Sequence, residues 1–275
     1  MATLLVTDPI FLEHLVLPGQ PERPDRLRAI AQSLAEEPFD ALVRKGAVAA
    51  DMMSKTWTVA RHAAGSAMLA VDDVLSGSVK NAFVAARPPG HHAERDRAMG
   101  FCFFNNAAIA ARHAQRSHGI RRVAIVDWDV HHGNGTQAIF YEDPTVLYAS
   151  THQMPLYPGT GAESERGVGN IFNAPLPPGA DGAAFRTAFS RKVIPAVDAF
   201  QPELVIVSAG FDAHWRDPLA SLKLKEEDFA WATVEVLALA ERHAGGRVVS
   251  LLEGGYDLTG LADSVAAHVG ELMKA

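Results

Sequence analysis

Near-continuous apolar runs of strand length recur along the chain at Thr3–Thr7, Asn81–Ala86, Arg122–Asp127, Val146–Ser150, Leu204–Ser208 and Arg247–Leu252. Runs that lack the polar alternation of a half-wet strand predict strands covered on both faces, as in a parallel sheet. Between them, Pro24–Glu36, Ser54–Leu75, Asn106–Ser117, Asp181–Ala199, Lys225–His243 and Leu258–Met273 repeat their apolar positions with a helical period. Asn106 and Asp181 suit N-caps, and Gly77, Gly119 and Gly245 suit helix stops. Repeated strand–helix alternation, with no internal repeat, predicts an α/β fold: a doubly wound parallel sheet flanked by helices. Ligands of such sheets bind at the C-terminal ends of the strands. The loops that leave those ends are therefore where chemistry is sought.

The loop after Arg122–Asp127 is the most unusual. In "VAIVDWDVHHGNG", Val123 to Gly135, alternation predicts Asp127, Asp129 and His131 on one face, with Trp128 and Val130 on the other. Buried, unpaired carboxylates cost roughly several kcal/mol each, a cost relieved by a cation or by hydrogen-bonded partners. A solvated, salt-bridged strand end is the plain alternative. The added His131 and His132, followed by a tight turn at Gly133-Asn134-Gly135, favour a metal. Asp212, following Ala209-Gly210-Phe211 after another strand, supplies a third ligand. Asp129, His131 and Asp212 form a set of one nitrogen and two oxygens that leaves a position open for water or substrate, as catalytic metal sites do. With no cysteine among the ligands, Zn²⁺ is the first choice and Fe²⁺ the second.

Other loops add groups suited to proton transfer. His91 and His92 follow the stiff Arg87-Pro88-Pro89-Gly90 turn, and Asp127 and Asn134 are available to orient one imidazole each. Tyr256, after Gly254 and Gly255, reads either as a phenol presented to the rim or as a core or capping tyrosine. Phe101, Phe103, Phe104 and Tyr157 read as the wall of a narrow apolar tube or as ordinary core.

The rest of the sequence narrows the class. The chain has 275 residues with no evident linker, which predicts one domain spanning 1–275. Its net charge of −7, without a cluster of Lys and Arg, speaks against a nucleic-acid-binding surface. A single cysteine, Cys102, excludes an intramolecular disulfide and fits a reducing compartment; the thiol adjoins Phe101, near the expected tube. The first residues lack a signal-peptide pattern and no apolar run approaches ~20 residues, so a cytoplasmic protein without a membrane partner is expected.

"RPPGHHA", "GFCFFNN", "VDWDVHHGNGTQ", "YPGTG", "SAGFDAHWRDPLASL" and "EGGYDL", in this order, resemble the histone deacetylase superfamily of zinc amidohydrolases, in particular its bacterial class II-like members and acetylpolyamine amidohydrolases. The resemblance implies the arginase/deacetylase fold, a metal at Asp129, His131 and Asp212, proton handling by His91 and His92, and carbonyl polarisation by Tyr256. It also implies that Asp127 orients the first histidine and joins a monovalent cation site, K⁺, with Asp129, His131, Ser150 and Thr151. A second monovalent site would involve Phe140, Asp143, Val146 and Asn170. The acyl-lysine tunnel would be lined by Gly100, Phe101, Tyr157 and Gly254. In "PERPDRL", Arg26 would line an internal channel for released acetate, or simply sit in a buried ion pair.

Two departures stand out. Asn134 occupies a position where some members carry aspartate, which weakens the preference of His92 for its charged form. Around Ala50–Asp51 the chain lacks roughly forty residues common in the family, a segment that contributes to the substrate rim. The expected activity is removal of an acyl group, foremost acetyl, from a lysine-like amine, with His91 as base and His92 as acid, or His92 in both roles. The alternatives are an acetylpolyamine amidohydrolase, and a metal-holding acyl-ligand module with little turnover. The partner is then an acylated lysine or a small acylated amine. A homo-oligomer in which a neighbouring subunit completes the rim is compatible with the sequence.

Overall fold

The computed structural model describes residues 2–14, 16–46 and 55–275. The shortened region near Ala50–Asp51 and the start of the helix expected from Ser54 lie outside the described residues. Within them, strands β1 (Thr3–Val6), β2 (Val43–Lys45), β3 (Asn81–Val84), β4 (Val123–Asp127), β5 (Val146–Gln153), β6 (Ile171–Leu176), β7 (Leu204–Ala209) and β8 (Val248–Leu252) form one sheet in the order β2-β1-β3-β8-β7-β4-β5-β6. Every pairing is parallel. The central strands are buried along their whole length, which is why they read as unbroken apolar runs. Helices α2 (Lys55–Leu75) and α3 (Asn106–His118) pack against each other, and α1 (Asp25–Ser33) and α7 (Glu226–Ala244) pack against α8 (Leu258–Lys274). None of the described helices is long and apolar enough to cross a membrane.

The register sets the position of the rim. Val84 pairs with Leu251, Leu251 with Ser208, Ser208 with Asp127 and Asp127 with Ser150, so these positions on five adjacent strands lie at one level, at or within a residue of the end of β3, β8, β7 and β4. The loops after β3, β8, β7 and β4 thus leave the middle of the sheet side by side.

The pattern missed several local features. Strand β2 has three exposed residues, and β6, at the other edge, carries Pro175, which lacks a ladder donor; neither has the apolar run of a central strand. The expected helix Asp181–Ala199 is divided into α5 (Gly182–Ala188), a π-helical turn (Phe189–Val193) and α6 (Ile194–Phe200), where Pro195 cannot donate to a preceding carbonyl. The Gly133-Asn134-Gly135 stretch is not a tight turn but the start of α4 (Asn134–Phe140). Glycine is needed at 135 for contact rather than turning: a Cβ there would lie 2.2 Å from the Ala93 carbonyl oxygen.

The cap of α3 is Asn105, not Asn106. Its side chain accepts from the Ala108 amide at 2.9 Å and donates to the Ala93 carbonyl at 3.2 Å and Thr136 Oγ1 at 3.1 Å, tying the helix start to the loop that carries His91 and His92. Gly119 and Gly245 end α3 and α7 in the left-handed conformation, as expected. Asn105→Ala should destabilise the chain by about 1–2 kcal/mol, the upper range for loss of a cap. Urea unfolding would register this as a lower midpoint at unchanged slope; an unchanged midpoint would deny Asn105 this role.

Candidate active site

Strand β4 ends at Asp127, and beyond it the chain curls rather than continuing to alternate. The Asp129 amide donates to Asp127 Oδ1 at 3.1 Å and the His131 amide to Asp129 Oδ1 at 2.9 Å. This curl divides the three groups that alternation had placed together. Asp127 turns toward the His91 loop, where its Oδ2 accepts from His91 Nδ1 at 3.1 Å and from the Tyr148 hydroxyl at 3.0 Å. Asp129 and His131 turn toward Asp212, which the loop after β7 delivers from the neighbouring strand.

His131 Nδ1 lies 3.1 Å from both Asp129 Oδ1 and Asp212 Oδ2, and one ligand atom from each of these three buried residues falls within 4.8 Å of the others. Ligand atoms bound at about 2.0–2.2 Å to a common Zn²⁺ stand roughly 3–3.5 Å apart, so the spacing fits a metal. The electrostatics agree. Burial, reinforced by the Asp129 charge, raises the Asp212 pKa to about 7. Burial would lower the His131 pKa, but its hydrogen bonds to Asp129 and Asp212 raise it to about 10. Both shifts recruit protons, so the cluster takes up positive charge where a cation would supply it. The remaining lone pairs are met by backbone donors: Val130 N–H to Asp212 Oδ1 at 2.8 Å and Gly254 N–H to Asp129 Oδ2 at 2.7 Å.

The histidine pair lies beside this cluster, with ring centroids 4.0 Å apart and both side chains buried. His92 Nδ1 donates to Asn134 Oδ1 at 2.8 Å, while the Asn134 amide donates to Glu94 Oε1 at 2.8 Å, which fixes its orientation. The two imidazoles are tuned in opposite directions. Burial opposes charge on His91, but the carboxylates of Asp129 and Asp127 overcome it and hold its pKa well above the ordinary imidazole range. Burial and the neighbouring His91 push His92 well below that range.

His132, counted among the signs of a metal, faces elsewhere. It meets Thr160 Oγ1 at 2.8 Å and Gln137 Oε1 at 3.0 Å, and burial lowers its pKa to about 3, so it is a neutral core histidine.

Tyr256 is buried beneath the rim. Its ring lies 6.2 Å from that of Phe101 and 4.9 Å from the Arg26 guanidinium carbon, and burial raises the phenol well above its usual pKa. Tyr157 stands half exposed over the pair, with its ring 5.1 Å from His92 and 6.3 Å from His131. Phe101 has a positive φ of 66°, a strained conformation for a bulky residue.

Two residues expected in the tube wall, Phe103 and Phe104, are elsewhere. Phe103 packs on His14 and Phe104 on Trp57, and both line a separate surface cavity of about 790 Å³. Gly100 backs the His92 ring, where a Cβ would lie 2.2 Å from Cδ2, and Gly254 backs the paired carboxylates. Cys102 is buried, with its Sγ toward the Gly100 carbonyl at 3.3 Å and its thiol pKa pushed well up by burial, so it is not a reachable nucleophile.

Ser150 and Thr151 are buried on β5, Ser150 beside Asp127, and Thr151 Oγ1 has no hydrogen-bond partner among the described residues. At the second expected monovalent site, the Asn170 amide nitrogen lies 2.8–2.9 Å from the carbonyls of Phe140, Asp143 and Val146. Arg26 is fully buried; it donates to the Gly255 carbonyl at 2.6 Å and to the Glu253 carbonyl, and pairs with Glu22 at 3.4 Å.

Two residues given no role from the sequence hold the rim together. Glu253 accepts from the Gly90 amide at 2.7 Å, the His91 amide at 3.2 Å and Ser208 Oγ at 3.1 Å, and burial raises its pKa to about 7. Asp217 accepts from the Tyr256 amide at 2.7 Å, the Asp257 amide at 3.3 Å and the Leu219 amide at 3.0 Å. A charged residue directly after the apolar run of β8 was the available signal for Glu253. Asp217 carried no comparable sign.

A Cβ on Gly254 would lie 2.0 Å from Asp212 Oδ2 and 2.6 Å from Asp129 Oδ2. Gly254→Ala should therefore separate the carboxylates and weaken Zn²⁺ binding by about 10–100-fold, the usual range when support of metal ligands is lost. Competition with a chromophoric chelator would measure this; wild-type affinity would show that the carboxylates relax freely.

The histone deacetylase domain model matches residues 24–272. The chain is 49% identical over 206 residues to a histone deacetylase-like amidohydrolase of Pseudomonas aeruginosa, an alignment covering 73% of this chain and 54% of that protein. It is 45% identical over 228 residues to the human polyamine deacetylase HDAC10, covering 79% of this chain and 34% of that one. The chain thus spans about half the length of the bacterial relative and about a third of the human one. A solved structure, the HDA15 HD domain, superposes with a TM-score of 0.92 at 36% identity, covering 100% of this chain and 89% of that chain. With a sheet and rim of this construction and a match across nearly its whole length, the chain belongs to the histone deacetylase domain family.

Proposed function

We propose that the chain is a metal-dependent amidohydrolase that removes acyl groups, acetyl foremost, from lysine-like amines. The observation that carries this reading is one rim holding a buried Asp129–His131–Asp212 cluster, a histidine pair tuned in opposite directions, and a buried phenol. A Zn²⁺-class ion held by Asp129, His131 and Asp212 would polarise the acyl carbonyl and acidify a water molecule.

The chain's own groups divide the proton chemistry. His92 donates its Nδ1 proton to Asn134, so Nε2 carries the lone pair, and its lowered pKa keeps it neutral. It is the group suited to take the proton of the attacking water and return it to the leaving amine. His91, held protonated between Asp127 and Asp129, serves as a fixed positive charge. This reverses the expectation of His91 as base and takes up the alternative in which His92 serves both steps. The Tyr256 phenol, kept protonated by its raised pKa, donates to the oxyanion as it forms. Phe101 and Tyr157 flank the acylated stem. K⁺ is assigned behind Asp127 with Asp129, His131, Ser150 and Thr151, where Ser150 lies directly beside Asp127 in the sheet.

The relation to a polyamine deacetylase supports a second substrate class, small acylated polyamines. The shortened region near Ala50–Asp51 favours the same class, because rim contacts outside the tunnel position a peptide for attack. Comparing kcat/KM on acetyl-lysine peptides of increasing length with that on acetylputrescine decides between them. A steep rise with peptide length favours peptides, a flat series with the small amine ahead favours polyamines, and no turnover of either by the metal-loaded chain overturns the enzyme reading.

Tyr256→Phe should lower kcat by about 10²-fold or more with folding intact, as loss of an oxyanion donor does. Asn134→Asp places a negative charge behind His92 and stabilises its protonated form, so His92 stays protonated to higher pH. The acidic limb of the kcat/KM profile should then move to higher pH. A limb that stays in place would remove His92 as the base.

A further inference from the structure

Outside the rim, one cluster of metal-ligating side chains has no part in the reaction described. Asp72, in the last turn of α2, places its Oδ1 2.6 Å from Nε2 of both His113 and His118, which lie in the last two turns of α3. The two rings are 5.6 Å apart and nearly perpendicular, and one ligand atom from each residue falls within 4.8 Å of the others. The rings converge edge-on upon one oxygen rather than stacking. His113 Nδ1 faces Ser117 Oγ at 3.2 Å, a partner for the ring nitrogen that points away from the cluster. Metal-bound histidines commonly have such a partner, which fixes the tautomer. In this arrangement both Nε2 atoms donate to Asp72 Oδ1, and a bound ion would replace those protons and part the ligand atoms to roughly 3–3.5 Å.

Charge and position favour a cation. With neutral imidazoles the cluster carries the single negative charge of Asp72, and the adjacent Asp73 is already paired with Lys45 at 2.6 Å. His113 is partly buried, while Asp72 and His118, at the helix end, reach solvent, which leaves access and room for water to complete a coordination shell. Two imidazole nitrogens and one carboxylate oxygen suit the borderline divalent ions, Zn²⁺ above all, rather than Mg²⁺ or Ca²⁺.

We propose that Asp72, His113 and His118 form a second, peripheral binding site for a Zn²⁺-class ion, which clips the C-terminal turn of α2 to that of α3. The start of α3 is fastened to the catalytic loop through Asn105 and Asn106, and its 13 residues span on the order of 20 Å at 1.5 Å each. The second ion therefore lies at the far end of the helix from the chemistry. Its effect is on the stability of the α2–α3 pair, through preferential binding to the folded chain.

The test uses the full, untagged chain, stripped with chelator and dialysed against micromolar Zn²⁺, with metal counted per chain. Wild type should hold two ions. Asp212→Ala should hold one, and it should still gain thermal stability from Zn²⁺. His113→Ala/His118→Ala should also hold one, with deacylation unchanged when loaded with a single equivalent. Asp72→Asn, which keeps the side-chain shape, should lose the same equivalent if the double variant folds poorly. Co²⁺ bound to Asp212→Ala should give a visible absorption band that disappears on adding His113→Ala. Failure of Asp212→Ala to bind Zn²⁺ at all, or retention of two ions by Asp72→Asn, would overturn the second site. Loss of the rim ion alone would leave it standing.

Discussion

Too much negative charge is buried at the mouth of the sheet for the rim to hold without help. Asp127 ends β4, and Asp129, Asp212, Asp217 and Glu253 lie in the loops that leave β4, β7 and β8, three adjacent central strands; each is less than a tenth exposed. Low dielectric makes every unmet carboxylate expensive. The surrounding construction answers that demand. Backbone amides of Gly90, His91, Asp129, Val130, His131, Gly254 and Tyr256 all donate into these carboxylates, which requires the loops to curl back upon them. His91 takes up a proton for the same reason, and the Asp129–His131–Asp212 cluster calls for a cation. The positive groups of the site follow from the crowding of its acids.

The contrast between His91 and His92 shows how far neighbours outweigh residue type. The two are adjacent in sequence, equally buried, and each has a side-chain oxygen on Nδ1. One oxygen belongs to a carboxylate and the other to an amide. Asp127 and Asp129 favour charge on His91, and that charge in turn disfavours a second one 4.0 Å away on His92. Two identical side chains thus become a charged and a neutral imidazole, because Asp129 and Asp127 face His91 while an amide, Asn134, meets His92.

Much of this was legible in the sequence because it is carried by local pattern. Strands buried on both faces announce themselves as apolar runs, and the residues of the rim follow those runs directly, so Asp127, Asp129, His131, Asp212 and Tyr256 could be placed at strand ends without knowing the strand order. What was not legible depends on distance along the chain. His132 has the credentials of a ligand in sequence, but Thr160 and Gln137 claim both of its nitrogens. Phe103 and Phe104 are tunnel-like by position, yet His14 and Trp57 draw them to another surface. The start of α4 looked like a turn because its glycines serve packing against Ala93 rather than chain reversal.

The arrangement also separates what holds the tyrosine from what holds the ligand cluster. Tyr256 lies two residues after Gly254, whose amide grips Asp129, but its own amide is held by Asp217 and the preceding carbonyls by Arg26. Arg26 comes from α1, near the N-terminal end of the chain, and Glu22 binds it together with Arg87 at the base of the histidine loop. This buried Arg26–Glu22–Arg87 bridge links the histidine loop to the tyrosine loop from below, without passing through the carboxylates. A disturbance of α1 would therefore reach the proton-handling and oxyanion-binding groups while leaving the ligand cluster to its own backbone donors. The N-terminal part of the chain thereby bears on the chemistry although it supplies no group to the Asp129–His131–Asp212 cluster.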